Sequence, residues 1–148
     1  MFFAWCNGDA TIADAAERQR FCGWVLQAIE EILDKFIAKF RALYQERVTD
    51  EMAKTEGFLD YYLGTVLADT AGVMGIEMIR RTVGIANVKD ITSIEDPVKR
   101  TRAERIILTL AKTCIMKRSS LRCGRDYRRA IEQAIARFPR QGTEQQAS

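Results

Sequence analysis

From Phe21 to Tyr44 the apolar side chains recur at spacings of three and four: Phe21, Trp24, Val25, Ala28, Ile29, Ile32, Leu33, Phe36, Ile37, Phe40, Leu43 and Tyr44. That period draws one wide stripe on an α-helix, and its length constrains the fold more than any other feature. Two overlapping patterns, Thr11-x-x-Asp14 and Asp14-x-x-Glu17, resemble capping boxes after an Asn7-Gly8-Asp9 turn signal. The predicted helix therefore runs from about residue 15 to 46 and is roughly 45 Å long at ~1.5 Å per residue. A compact body of 148 residues has a radius of gyration of only roughly 15 Å. Such a helix crosses the whole molecule, and the expectation is a structural spine in an all-α chain. Its aromatic residues need no cofactor to explain them.

The remaining segments also read as helices. A second long one is predicted from about Gly57 to Val83. Between Val66 and Ile79 its only polar side chains are Asp69, Thr70 and Glu77, so burial on most sides is expected. Gly72 and Gly75 each cost this helix about 1 kcal/mol relative to alanine. With Ala68 and Ala71 they leave a slim surface on which another backbone can approach closely. Gly84 is expected as a left-handed C-cap. The connection 85–95 has room for one turn around Lys89-Asp90-Ile91. Asp96-Pro97 then supplies an N-cap with proline at the first helical position. The helix that follows, about 97–117, faces inward with Ala103, Ile106, Ile107, Leu110, Ala111, Cys114 and Ile115. A last amphipathic helix, about 124–138, stops before Pro139. No strand alternation and no internal repeat is evident. The division expected is one helical region, 1–138, and a polar tail, 139–148, with Gln141 to Ser148 disordered.

Composition removes several function classes. With 47% hydrophobic and 29% charged residues the chain can bury a core and is not a disordered chain. It contains no histidine, so the usual zinc ligand sets, Ser-His and Cys-His nucleophile pairs and a histidine base are all missing. No G-x-x-x-x-G-K-[ST] or G-x-G-x-x-G loop is present, and no carboxylates cluster at metal-ligand spacing. Catalytic and metal-binding residues are therefore expected to be none. Cys6, Cys22, Cys114 and Cys123 form no C-x-x-C pair and read as free thiols of a cytoplasmic protein. No apolar run approaches the ~20 residues that a membrane span needs. The opening Met1 to Cys6 is apolar but lacks the positive region of a secretory signal. It reads as the last turns of a helix whose beginning is missing, or as a frayed segment packed on the core.

Charge is unevenly spread. Residues 1–98 hold 10 basic and 16 acidic side chains, whereas residues 99–140 hold 13 basic and 3 acidic, a local net of +10. This asymmetry fits a phosphate-bearing partner, a solvated helical face, or an interface with an acidic neighbour. A stand-alone helical protein using its basic third on nucleic acid is thus an alternative function. The absence of helix-turn-helix spacing or base-reading residues counts against nucleic acid.

The feature that most invites a functional reading is Arg80-Arg81 at the end of the second long helix. Two cations there can simply satisfy a helix C-terminus. They can also reach into a cleft together and bind a polyol or phosphate through forked donors.

Around that pair the residues resemble a known family. Asp69-Thr70-Ala71-Gly72, then Glu77-Met78-Ile79-Arg80-Arg81-Thr82-Val83-Gly84-Ile85-Ala86-Asn87-Val88, are similar to the C-terminal region of 5-methylthioribose kinases. Ser93-Ile94-Glu95-Asp96, Lys99-Arg100 and Ala103-Glu104-Arg105 continue the likeness in order, and Phe2-Phe3-Ala4 before a long helix also fits. The resemblance spans roughly 1–138, with the central block the specific part. It implies the helical C-terminal lobe of a protein-kinase-like, aminoglycoside-phosphotransferase fold. It also implies an enzyme of methionine salvage that moves the ATP γ-phosphoryl, with magnesium, onto the 1-hydroxyl of 5-methylthioribose. Arg80 and Arg81 match the family's paired arginines at the sugar-binding site and are the substrate-binding candidates. The family's Gly-rich loop, nucleotide-binding lysine, catalytic aspartate and metal-binding acidic motif lie upstream of the matched region, and none is in this sequence. Asn87 stands where a histidine is expected. The implication is a truncated kinase, inactive alone and binding neither ATP nor magnesium itself. Faces that would meet the missing lobes are expected to be exposed and to favour association, a homodimer included.

Overall fold

The computed structural model describes residues 1–140, and among these every regular element is helical. The helices are α1 (Phe2–Thr11), α2 (Ala15–Arg47), α3 (Phe58–Val83), α4 (Lys89–Thr92), α5 (Pro97–Met116) and α6 (Gly124–Ala136), with short 3-10 turns before α3 and after α5. The expected disordered stretch Gln141–Ser148 lies outside the described residues. Pro139 and Arg140 of the proposed tail are described, and the Arg140 guanidinium donates to the Asp9 backbone carbonyl at 2.6 Å.

The caps act as their sequence suggests at two starts. The Asp14 carboxylate accepts from the Glu17 amide at 2.7 Å and opens α2. The Asp96 carboxylate accepts from the amides of Val98 and Lys99 at 2.8 and 3.2 Å and opens α5 behind Pro97. Two other local expectations are corrected. Asn7-Gly8-Asp9 is not a turn but the interior of α1. Gly84 is extended, with φ −86° and ψ −179°, rather than left-handed. It is needed there for another reason: a Cβ would collide with the carbonyl oxygen of Arg80.

The spine of the molecule is α5, not α2. Ala103, Ile106, Ile107, Leu110, Ala111 and Cys114 of α5 are all buried, and α1, α3, α4 and α6 pack around it. Of the 33 residues of α2, only Val25 is buried. Phe21, Cys22, Leu26, Ile29 and Leu33 rest on the core, while Trp24 is 61% exposed and Ile32, Phe36 and Leu43 also face outward. The second half of the long stripe forms a half-exposed aromatic cluster with the start of α3. The Phe40 and Tyr44 rings lie 6.1 and 6.4 Å from Tyr62, which stacks on Phe58 at 6.1 Å.

α3 is likewise less enclosed than its composition implies. Leu63, Leu67, Ala71, Gly75, Met78 and Thr82, spaced by fours and a three, form its buried face. Val73 and Ile76 on the other side are 66% and 61% exposed. The apolar run is real, but among the described residues α5 is the main helix available to cover it, and one helix covers one face. The close approach expected at the glycines occurs at Gly75. A Cβ there would stand 2.7 Å from both the Ala111 carbonyl oxygen and Cγ1 of Ile115. At Gly72 the nearest atom is Cδ of Arg118 at 3.8 Å.

Polar ties hold the periphery. The Asp9 side chain, nearly buried, takes an ion pair from Arg102 of α5 and another from Arg140 at 3.0 Å. Arg102 also donates to the Phe138 carbonyl at 2.7 Å. At the other end of the molecule the Asp34 carboxylate of α2 accepts from the Gly124 amide at 2.8 Å, placing an anion at the start of α6.

Two outcomes follow for the glycine pair and the buried ion pair. Gly75→Ala gains about 1 kcal/mol of helix propensity but must displace backbone, which costs about 1–3 kcal/mol. Net destabilisation is expected in urea unfolding, whereas Gly72→Ala, whose Cβ meets only the Arg118 side chain at ordinary contact distance, gains about 1 kcal/mol. Arg102→Met leaves Asp9 enclosed with weaker compensation and loses about 3 kcal/mol in the same measurement.

Candidate functional site

The face of α3 that packs on α5 dictates where its last turn points. With Met78 and Thr82 turned inward, Glu77, Arg80 and Arg81 lie on its flank, partly open to solvent. The Thr82 hydroxyl donates back to the Met78 carbonyl at 2.7 Å and adds no outward group. Beyond the extended Gly84, the connection to α4 is fastened from α1. The Asn7 amide donates to the Asp90 carbonyl at 2.7 Å and to the Ser93 hydroxyl at 3.1 Å.

Adjacent helix positions diverge by about 100°, yet Arg80 and Arg81 are brought together by one carboxylate. Arg80 makes a fork on Glu77, Nε to Oε2 at 2.8 Å and Nη2 to Oε1 at 2.7 Å. Arg81 adds a short hydrogen bond from Nε to Oε1 of the same group. The spacings are three and four residues, the two at which helical side chains meet. Sequence reading singled out the arginines and not Glu77 as their organiser, although the Glu-x-x-Arg-Arg spacing carries that signal. The hydrogen bonds from Arg80 and Arg81 lower the Glu77 carboxyl to a pKa of about 2, and Glu77 in turn raises that of Arg80.

The triad carries a net charge of +1. Nη1 of Arg80 and both Nη nitrogens of Arg81 make no hydrogen bond among the described residues. These are donors for hydroxyl or phosphate oxygens. The side chains are 51% and 43% exposed, and neither of the grooves of about 810 and 800 Å³ near α5 and α6 includes them. The pair is therefore presented at the surface of these residues rather than enclosed by them.

Other chemistry is sparse. No three His, Cys, Asp or Glu side chains converge to hold a metal among the described residues. Burial raises the Cys6 thiol well above its usual range and pushes Cys22 and Cys114 to about 11 and 12. At neutral pH these three sulfurs stay protonated, a poor state for attack or metal ligation. No described helix is long and apolar enough to cross a membrane.

No family model matches the chain. Individual relatives do. A methylthioribose kinase of Geobacillus sp. (strain WCH70) is 35% identical over 107 residues, 72% of this chain and 27% of the relative. One from Yersinia pseudotuberculosis serotype IB (strain PB1/+) is 37% identical over 91 residues, 62% of this chain and 22% of the relative. The chain is related to the methylthioribose kinases. A further methylthioribose kinase, of Yersinia enterocolitica serotype O:8, matches at 33% over 117 residues, 79% of this chain and 28% of that protein. The chain thus spans about a quarter of the length of the curated methylthioribose kinases it matches. An all-helical set of described residues agrees with a helical portion of that kinase family.

The carboxylate of Glu77 gives a direct check on the triad. Its pKa is depressed in the folded chain, so the pairing is complete above the ordinary carboxylate value of 4.5 and is lost as pH falls toward 2. A side-chain carboxyl NMR titration is expected to show a midpoint near 2 for Glu77. In Arg80→Ala/Arg81→Ala that midpoint returns toward the ordinary value, and added salt moves it the same way in the parent chain.

Proposed function

We propose that this chain is the C-terminal, substrate-side helical part of a 5-methylthioribose kinase and that Arg80 and Arg81 contribute to holding the sugar. The observation that carries this reading is the match to methylthioribose kinases at 33–37% identity over most of the chain. The triad on α3 supports it chemically. A polyol offers several acceptor oxygens on one face, and two guanidiniums fixed by a shared carboxylate present donors in a fixed fork. Because Glu77 holds Arg80 by one edge and Arg81 by Nε alone, Nη1 of Arg80 and both Nη nitrogens of Arg81 keep their donors uncommitted among the described residues. Fixing them in advance reduces the side-chain ordering that binding would otherwise require.

In this reading the complete enzyme transfers the γ-phosphoryl of ATP, with magnesium, to the 1-hydroxyl of 5-methylthioribose, a step of methionine salvage in the cytoplasm. The residues described here do not fit the magnesium ion, since no acidic cluster converges among them. The glycines of α3 do not fit ATP phosphates either: they lie within a helix whose amides are internally bonded. No transfer step is assigned to this chain. Its part is to position the acceptor, and positioning by itself gives no phosphoryl transfer without the groups that align phosphate and metal.

The uncovered apolar side chains have a place in the same reading. Val73 and Ile76 on α3, with Val83 and Ile85 beside the arginines, are exposed in this chain. In the proposed enzyme they are the surface against which the remaining kinase structure packs, and the sugar site closes between the two.

Complementation tests the proposal. Purified 148-residue chain given ATP, magnesium and 5-methylthioribose is expected to form no phosphorylated sugar. Co-expression with the rest of the Geobacillus relative is expected to restore ATP-dependent product. In that restored enzyme Arg80→Ala or Arg81→Ala raises KM for the sugar by about 10-fold, the loss of roughly one charged hydrogen bond. Steady turnover by the chain alone sinks the reading, as does restored activity indifferent to both arginines.

A further inference from the structure

The groove between α5 and α6 has a charge pattern that nothing else in the molecule answers. Arg105, Lys112 and Lys117 stand along one wall or its end, and Arg129 and Arg137 along the other. None of the five forms an ion pair with a described carboxylate. Elsewhere the pattern is mixed: Arg41, Arg80, Arg81, Arg102, Arg128 and Arg140 each meet an acid, whereas Arg18, Arg20, Lys39 and Arg125 also form no ion pair with a described carboxylate. The one acidic residue in the groove, Asp126, is engaged at home. It accepts from the Arg122 amide at 2.9 Å and from the Cys123 thiol at 3.3 Å, and Arg129 acts on it only through space.

Between the cations the lining is mixed, with Thr109, Thr113, Ser120 and Gln133 beside apolar side chains. Ala130 and Ala134, one helical turn apart, are buried, Leu108 is half-buried, and Met116 stands 74% exposed at one end. The wall positions repeat as helix faces do: Arg105, Thr109, Lys112 and Met116 on α5, and Asp126, Arg129, Gln133 and Arg137 on α6. Arg105 and Lys112 are separated by about 10.5 Å of rise, and Arg129 and Arg137 by about 12 Å.

We infer that this groove docks an acidic amphipathic helix of a partner protein, aliphatic side chains on Leu108 and Met116 and carboxylates against the two cationic walls. A partner helix with acids seven residues apart repeats every ~10.5 Å and matches the Arg105–Lys112 spacing on α5. Charge complementarity selects the partner's sign, and the apolar side chains of the lining select its class. A nucleic-acid backbone carries one charge per ~1.7 Å of duplex and has nothing apolar to place on Leu108 and Met116. The inference stands on the groove alone and is independent of the kinase reading.

The probe is a fluorescein-labelled helical peptide with leucines at i, i+3, i+4 and i+7 and glutamates on its other face. It is titrated with the full chain by fluorescence anisotropy, beside a scrambled peptide of equal composition and a short DNA duplex. The periodic peptide is expected to bind at least ~10-fold more tightly than the scrambled one, a difference of about 1.4 kcal/mol. Lys112→Glu/Arg129→Glu is expected to weaken it by ~10-fold or more. Met116→Gln, which leaves charge unchanged, weakens it several-fold and carries the test if the double variant does not fold. Arg20→Glu/Lys39→Glu on α2 applies the same charge change away from the groove and leaves binding unaltered. Equal binding of the scrambled peptide, equal loss in the α2 variant, no peptide binding, or duplex binding as tight as the periodic peptide each overturns the inference.

Discussion

Because Gly75 has no side chain, the carbonyl of Ala111 can lie 2.7 Å from where a Cβ would stand, and α3 and α5 touch backbone to backbone. Ala71 and Ala111, both fully buried, extend the same contact. Such an approach removes almost all rotational freedom of one helix about the other, since any turn of α3 drives a larger side chain into α5. The remaining arrangement is built on that fixed pair. α5 becomes the central helix, with α1, α4 and α6 on its other sides. The last turn of α3 is left with Met78 and Thr82 inward and its charged triad outward.

Polar contacts then set the outer helices, and they differ in weight. Asp9 and Arg102 are nearly enclosed, so losing either partner leaves a charge with little water to take its place. The Glu77 pairs are half open to solvent and steer side-chain direction far more than they stabilise the chain. The same ion-pair chemistry thus fastens the fold on one side and shapes a presented surface on the other. The Asp34 contact to the α6 N-terminus is a third case, where a side chain of one helix caps another.

How much of this is readable in the residues depends on the range of the forces involved. Helix starts at Ala15 and Pro97 are legible because Asp14 and Asp96 satisfy amides only two or three residues away. α1 is legible as a helix only up to Cys6, and the three residues misread beyond it show why. Asn7 bonds Asp90 and Ser93, Gly8 lies against Phe21, and Asp9 is held by Arg102 and Arg140. Each is a turn former by local preference and a helix residue by tertiary contact. The apolar stripes of α2 and α3 announced helices correctly but not how many sides would be covered, since a stripe says nothing of whether its neighbour belongs to the same set of residues. At the site, the arginine pair was legible as sequence. Its convergence on Glu77 required the side-chain geometry.

The Asp9 knot has one more consequence, and it concerns time rather than place. Its partners are 93 and 131 residues away along the chain, whereas most contacts of a helical protein are made by near neighbours. Closing loops of that span is entropically costly until intervening segments are already compact. Helices such as α2 and α3 can grow from local bonds within about a microsecond. α1 can settle on its neighbour α2 early, but Asp9 stays unpaired until α5 and Arg140 reach it. The carboxylate that looks like a static clasp joins segments that start their assembly far apart along the chain.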